Sequence, residues 1–163
     1  MTRVGLLSDT HGWLDPRVVA FFEGCDEVWH CGDIGDLTVT GELACRFTVR
    51  AVYGNIDDWK TRTVFPKFQH FTVEGVKVML THIGGYPGHY EPGILPLLEA
   101  ERPQLFACGH SHIAKVKYDE KLTCLHINPG AAGRNGFHKV RTAARFSIDG
   151  SRITDLELLE LAR

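Results

Sequence analysis

No stretch of this sequence approaches the ~20 consecutive apolar residues of a membrane span. No excess of one charge marks it for nucleic acid or an anionic surface either: 18 Lys and Arg stand against 20 Asp and Glu, a net charge of −2. Paired cysteine is absent as well. The five thiols, Cys25, Cys31, Cys45, Cys108 and Cys124, are odd in number, show no CxxC spacing and mostly sit in apolar runs. That argues against a disulfide framework and for reduced, buried cysteine in a cytoplasmic protein. The segment Met1–Asp9 is interrupted by charge too soon for a signal peptide. With 44% apolar and 23% charged residues, the chain has the composition of a folded domain, not of disordered polymer. No repeat, linker or low-complexity block divides it, so residues 1–163 are expected to form one domain.

What the chain does have is one event repeated at strand ends. Cys108-Gly109-His110-Ser111-His112 follows the apolar run Leu105-Phe106-Ala107. Two histidines two residues apart in extended chain point the same way and can chelate a metal, although an isolated HxH is commonly just ordinary imidazole. The other segments strengthen the metal reading. Asp9-Thr10-His11 follows Val4–Leu7, Gly32-Asp33 follows Val28–Cys31, Gly54-Asn55-Ile56-Asp57 follows Val49–Tyr53, and His82 follows Val76–Thr81. In open α/β sheets the functional crevice lies beyond the carboxyl ends of the strands. Five segments would therefore bring Asp, His and Asn side chains to one rim.

The expected elements open as β-α-β-α-β: strands over 3–8, 27–31 and 48–53, a helix capped by Asp15 with Pro16 at its first position, and a second helix over 37–46 weakened by Thr38, Val39, Thr40 and Gly41. A polar link is expected from Trp59 to Lys67, then two strands within 71–80 about a glycine turn. Residues 83–93, rich in Gly and Pro, read as a loop, either a substrate lid or an ordinary surface connection. A helix over 94–102 is followed by hairpins about Asp119-Glu120-Lys121 and Asp149-Gly150. The first half is thus expected to be parallel and helix-covered, the second dominated by antiparallel hairpins.

Asp9, His11, Asp33, Asn55, His82, His110 and His112 are more ligands than one tetrahedral ion needs. Two ions fit better, because a carboxylate can bridge two cations about 3.5–4 Å apart and such pairs serve phosphoryl displacement. Imidazole and carboxylate without a thiolate set favour Mn, Fe, Zn, Co or Ni over Ca or Mg without picking one of them. Cys31 and Cys108 directly precede two of the loops and are alternative soft ligands, but core packing suits them better.

Asp9-x-His11, Gly32-Asp33, Gly54-Asn55-x-Asp57, Thr81-His82 and Gly109-His110-x-His112, in this order and followed by Asn128-Pro129-Gly130, resemble the motifs of the calcineurin-like metallophosphoesterases, in particular the small YfcE-like phosphodiesterases. The resemblance implies a four-layer α/β/β/α sandwich. It implies that Asp9, His11 and His112 hold one ion, that Asn55, His82 and His110 hold the other, that Asp33 bridges them, and that water between the ions attacks phosphorus. Larger members of the superfamily carry histidine after the motif asparagine, whereas this chain has Ile56. That favours diesters or activated esters over poor leaving groups and makes a small phosphodiester the expected substrate. His89 is the candidate to replace the missing donor; Asn55, Arg134 and His138 are candidates for phosphate contact; Asp57 is expected to support the ligands from behind. His30 and His126 are expected inside the fold, hydrogen-bonded to backbone. The rival readings are a phosphomonoesterase with the same site and a non-catalytic protein-binding scaffold, as in the retromer subunit of similar fold. Homo-oligomerisation stays open.

Overall fold

In the computed structural model, which describes residues 1–163, β1 (Thr2–Leu7), β2 (Glu27–His30) and β3 (Thr48–Ala51) run parallel. They are joined by α1 (Pro16–Phe21) and α2 (Leu37–Ala44). Each helix starts where its sequence permits: the Asp15 and Asp36 side chains accept the N–H of Arg17 and Thr38, satisfying donors the helix leaves free. The long hairpin of β11 (Val140–Asp149) and β12 (Arg152–Ala162) pairs antiparallel with β1, giving the order β12-β11-β1-β2-β3.

The second sheet is built from β4 (Phe68–Val73), β5 (Val76–Thr81), β8 (Leu105–Ala107), β9 (Lys115–Asp119) and β10 (Cys124–Asn128), in the order β4-β5-β8-β10-β9. Its centre, β5-β8-β10, is parallel, and only the flanking strands are antiparallel. This corrects the expectation of an antiparallel second half. The β4–β5 and β9–β10 hairpins form as expected, but each contributes one strand to a parallel trio through pairings that no local turn signals.

Strand alternation sorts the side chains into layers. Val4, Leu6 and Trp29 of the first sheet meet Val78, Leu80, Leu105 and Ile127 of the second in a core between the sheets. Trp29 is fully buried there, edge-on to Phe71 and Phe146. The outer face of the first sheet, with Leu7, Val28 and Ala51, packs on Val18, Val19 and Phe22 of the first helical unit and on Val39 and Leu43 of α2. The outer face of the second, with Met79, Phe106 and Cys124, packs on Ile94 and Leu98 of α4 (Ile94–Glu101). Helix, sheet, sheet and helix are the four layers expected.

Two connections differ from the expectations. The polar link contains α3 (Trp59–Val64), whose N-cap Asp58 accepts the Thr61 N–H; its one buried residue, Thr61, gives it no apolar stripe. The loop over 83–93 contains a small hairpin, β6 (Gly85–Tyr86) and β7 (His89–Tyr90), turned at Pro87-Gly88. No helix is long and apolar enough to cross a membrane.

Candidate metal centre

The carboxyl ends of the central strands open on one side of the sandwich, and the ligand candidates gather there. Donor atoms of Asp9, His11 and His112 lie within 4.8 Å of one another, as do those of Asp33, His82 and His110. The two groups touch. Asp33 Oδ2 is 3.2 Å from His82 Nε2 and 3.7 Å from His11 Nε2, and Asp9 Oδ1 is 3.2 Å from His112 Nε2 and 3.8 Å from His82 Nε2. Asn55 is exposed and shares a cleft of about 200 Å³ with His82, Arg62 and Lys67.

Local backbone geometry is unusual at these positions. Five of the nine non-glycine residues with positive φ are Asp9, His11, Asp33, His110 and His112. Side chains on such backbone cost about 1 kcal/mol or more each, and strain of this kind gathers where function requires it. Close approach is paid for by glycine: a Cβ at Gly54 would collide with Asp33, and one at Gly109 with Ser8 and Asp9.

The groups behind the ligands fix their orientation. Asp9 Oδ2 accepts the Ser8 hydroxyl at 2.7 Å and the His110 N–H at 3.1 Å, leaving Oδ1 for the site. His82 Nδ1 lies 2.7 Å from the Cys31 carbonyl, so that nitrogen carries the proton and Nε2 presents a lone pair. His138 is buried with Nε2 2.8 Å from the Gly133 carbonyl and Nδ1 3.2 Å from His112 Nδ1. The consistent arrangement has His138 Nε2–H donating to Gly133 and His112 Nδ1–H donating to His138, which frees His112 Nε2. His138 therefore stands behind a ligand candidate, not at a phosphate. Asp57 accepts the N–H groups of Ile34, Gly35 and Gly54, holding together the loops that carry Asp33 and Asn55. Asn128 ties Gly109 and Ser111 to Gly130 in the same way.

Electrostatics follows from this packing. Burial opposes ionisation of Asp9, but His112, His82 and Ser8 outweigh it and hold the carboxyl below its usual range. For Asp33 burial is likewise overcome, by His82 and the Ile56 N–H. Burial acts to lower His82, yet Asp33 and Asp9 raise it overall. Asp9 Oδ1, His11 Nε2 and His82 Nε2 nevertheless remain buried with no hydrogen-bond partner. Oxygen and imidazole lone pairs converging without donors are what a cation satisfies. Burial pushes the Cys31 thiol well up and that of Cys108 to about 12, so both are neutral core residues.

The remaining candidates are spread around the rim. His89 is exposed, its ring 4.9 Å from that of Tyr86, in a cleft shared with His110. Arg134 stacks on Trp13 at 3.9 Å. His30 is buried as expected, bonded to Thr10 and the Gly32 N–H, and His126 is buried as expected, its ring against the Phe106 backbone without a well-formed hydrogen bond. The anchoring by His138 and the role of Arg62, which donates to the Asp57 and Asn55 carbonyls, escape sequence reasoning. The Asp58 cap was the one local signal for the helix that carries Arg62.

Comparison with known proteins places the chain in a family. Residues 2–151 match the family model of the calcineurin-like phosphoesterase superfamily domain. A probable metallophosphoesterase of Mycoplasma pneumoniae is 30% identical over 164 residues, covering 96% of each chain. Among solved structures, a singly substituted Vps29 from Entamoeba histolytica superposes with a TM-score of 0.78 at 14% identity, covering 98% of this chain and 99% of its own. A structure described as a novel archaeal phosphodiesterase gives 0.77 at 21% identity, covering 98% and 100%.

Proposed function

This chain belongs to the calcineurin-like phosphoesterase superfamily, and we propose that within it the protein is a dinuclear-metal phosphodiesterase acting on a small phosphate diester. The observation that carries the reading is the convergence of Asp9 Oδ1, His11 Nε2 and His82 Nε2, buried and without partners. We assign Asp9, His11 and His112 to one ion, Asn55, His82 and His110 to the other, and Asp33, whose Oδ2 faces imidazoles of both sets, to the bridge. When bound, such a pair supplies Lewis acidity, acidifying water and neutralising charge on phosphoryl oxygens. Mn²⁺ is the first choice, with Fe, Zn, Ni and Co compatible with the same donors.

The chain itself supplies preorganisation. Cys31 and His138 fix the tautomers of His82 and His112, and Asp57 and Asn128 hold the loops from behind. Ile56, 47% exposed at the rim, has no proton to give a departing alkoxide. This favours a diester with a competent leaving group, with His89 as the candidate donor and Asn55 and Arg134 as candidate phosphate contacts.

The test is hydrolysis of bis-p-nitrophenyl phosphate by metal-stripped protein with Mn²⁺ restored, compared with His82→Ala. Metal-dependent turnover that collapses in the variant is the expected result, and faster turnover of a matched monoester would make the protein a monoesterase. No turnover with Mn²⁺ or another transition metal would favour the second reading, a protein-binding scaffold, which the likeness in fold to Vps29 supports.

A further inference from the structure

On the Asn55 side of the ligand cluster, the cleft of about 200 Å³ holds two cationic side chains, Arg62 and Lys67, and no carboxylate lines it. The chain as a whole has a net charge of −2, so this positive cleft is a local arrangement and not a general excess of basic residues. None of the ion pairs in the fold involves either residue. Arg62 is nevertheless held in place. Its Nε donates to the Asp57 carbonyl at 2.8 Å and its Nη2 to the Asn55 carbonyl at 3.2 Å, and the guanidinium lies 4.6 Å from the Tyr53 ring centroid. Two carbonyls and a ring thus fix the plane of the fork and leave Nη1 without a partner in the protein. Lys67 is exposed, and its carbonyl accepts the Thr81 hydroxyl at 3.2 Å, which ties its backbone to the strand end that carries His82.

We infer that this cleft receives a second phosphate, carried on the ester substituent of the substrate, with Arg62 and Lys67 donating to its oxygens. A guanidinium whose plane is already fixed suits the oxygens of a phosphate, and the lysine adds a second positive charge. Two cations match a dianion, which selects a phosphate over a carboxylate. The volume, roughly seven waters at ~30 Å³ each, admits one phosphoryl group with a few waters. The inference rests on the phosphodiesterase reading: the cleft shares Asn55 and His82 with one of the assigned ions, so a diester held at that ion presents a substituent to it. The substrate class is then a phosphodiester with a further phosphate on one arm.

Two substrates with one leaving group test it: p-nitrophenyl 3-phosphonopropyl phosphate and p-nitrophenyl butyl phosphate, each with the Mn²⁺-loaded full chain. The phosphonate stands in for the second phosphate and has no ester bond of its own to hydrolyse. The wild type should prefer the phosphonate about tenfold in kcat/KM, chiefly through KM, and the preference should shrink as salt is raised. Lys67→Met should cut the preference about threefold and Arg62→Met at least as much, whereas Lys67→Arg should retain it. The ratio of the two esters is the readout, so a loss common to both, from a disturbed Asn55 loop, cancels. A phosphonate that merely chelated the ions would keep its ratio in both methionine variants. That outcome, or a wild type with no preference for the phosphonate, or hydrolysis of bis-p-nitrophenyl phosphate but of neither alkyl ester, would overturn the inference and leave the phosphodiesterase reading standing. No turnover of any of the three by the loaded wild type would overturn that reading and the inference with it.

Discussion

The parallel trio of the first sheet ends in two acids and an amide, Asp9, Asp33 and Asn55, whereas that of the second ends in His82, His110 and Asn128. The crevice therefore has a carboxylate wall and an imidazole wall, with His11 as the one imidazole delivered from the acid side. Neither sheet by itself offers a mixed donor set on both flanks of a cation. The walls also balance each other: the imidazoles hold Asp9 and Asp33 low, and the acids hold His82 high. The same contrast recurs in the buried strands. His30 of the first sheet has both ring nitrogens in well-formed hydrogen bonds, and His126 of the second has neither. What distinguishes the walls is thus division of labour between charge and lone pair, within one shared strand plan.

The strongest way to break this comparison is to remove charge from the acid wall where both ligand groups meet. Asp33→Asn should cut turnover about a thousandfold, several kcal/mol of transition-state stabilisation, with the circular dichroism spectrum retained. A variant that still binds two metals and turns over normally would refute the bridging assignment. On the imidazole wall the expected effect is smaller: His138→Ala should lower metal affinity or activity about 10–100-fold by freeing the His112 ring, with His138→Gln partly restoring it. Calorimetry in two buffers of different ionisation enthalpy reads the change in proton release on Mn²⁺ binding, and a retained circular dichroism spectrum separates this from loss of fold.

Protons and cations should compete for the balance between the walls. Because the acids raise His82 above the ordinary histidine value, Mn²⁺ binding should release protons, and affinity should weaken up to about tenfold per pH unit below that raised value. Affinity independent of pH between 5 and 8 would show that His82 is not a ligand. The smallest effects concern stability and separate the two buried histidines. His30→Phe orphans the Gly32 N–H and should cost about 1–3 kcal/mol, roughly 2–4 °C of melting temperature per kcal/mol, whereas His126→Phe removes a ring with no well-formed hydrogen bond and should cost less. Burial holds both histidines at about 4 in the fold, so the unfolded chain takes up these protons first as the pH falls. Their contribution to stability is therefore present above about pH 6.5 and is lost progressively towards pH 4. A melting temperature flat over that range would contradict the burial of these rings.

Much of this was legible in the chain itself. Apolar runs ending in Asp9, Asp33, Asn55, His82 and His110 announce strands with donors at their carboxyl ends, and Asp15-Pro16 announces a helix start, because side-chain periodicity and capping are local properties. The likeness of the motifs to the metallophosphoesterases carried the four-layer architecture. Only the tertiary structure decided that β8 and β10 pair in parallel, that the β11–β12 hairpin returns to β1, and that His138 stands behind His112. It also decided that His126 lies buried against the Phe106 backbone. The physical reason is separation along the chain: the Asp9–His110 hydrogen bond joins residues 101 apart, and that of His112 with His138 joins residues 26 apart. Hydrophobic pattern and turn chemistry determine which element each segment forms, but strand pairing and the contacts behind the ligand candidates are selected by how two sheets pack around a common core.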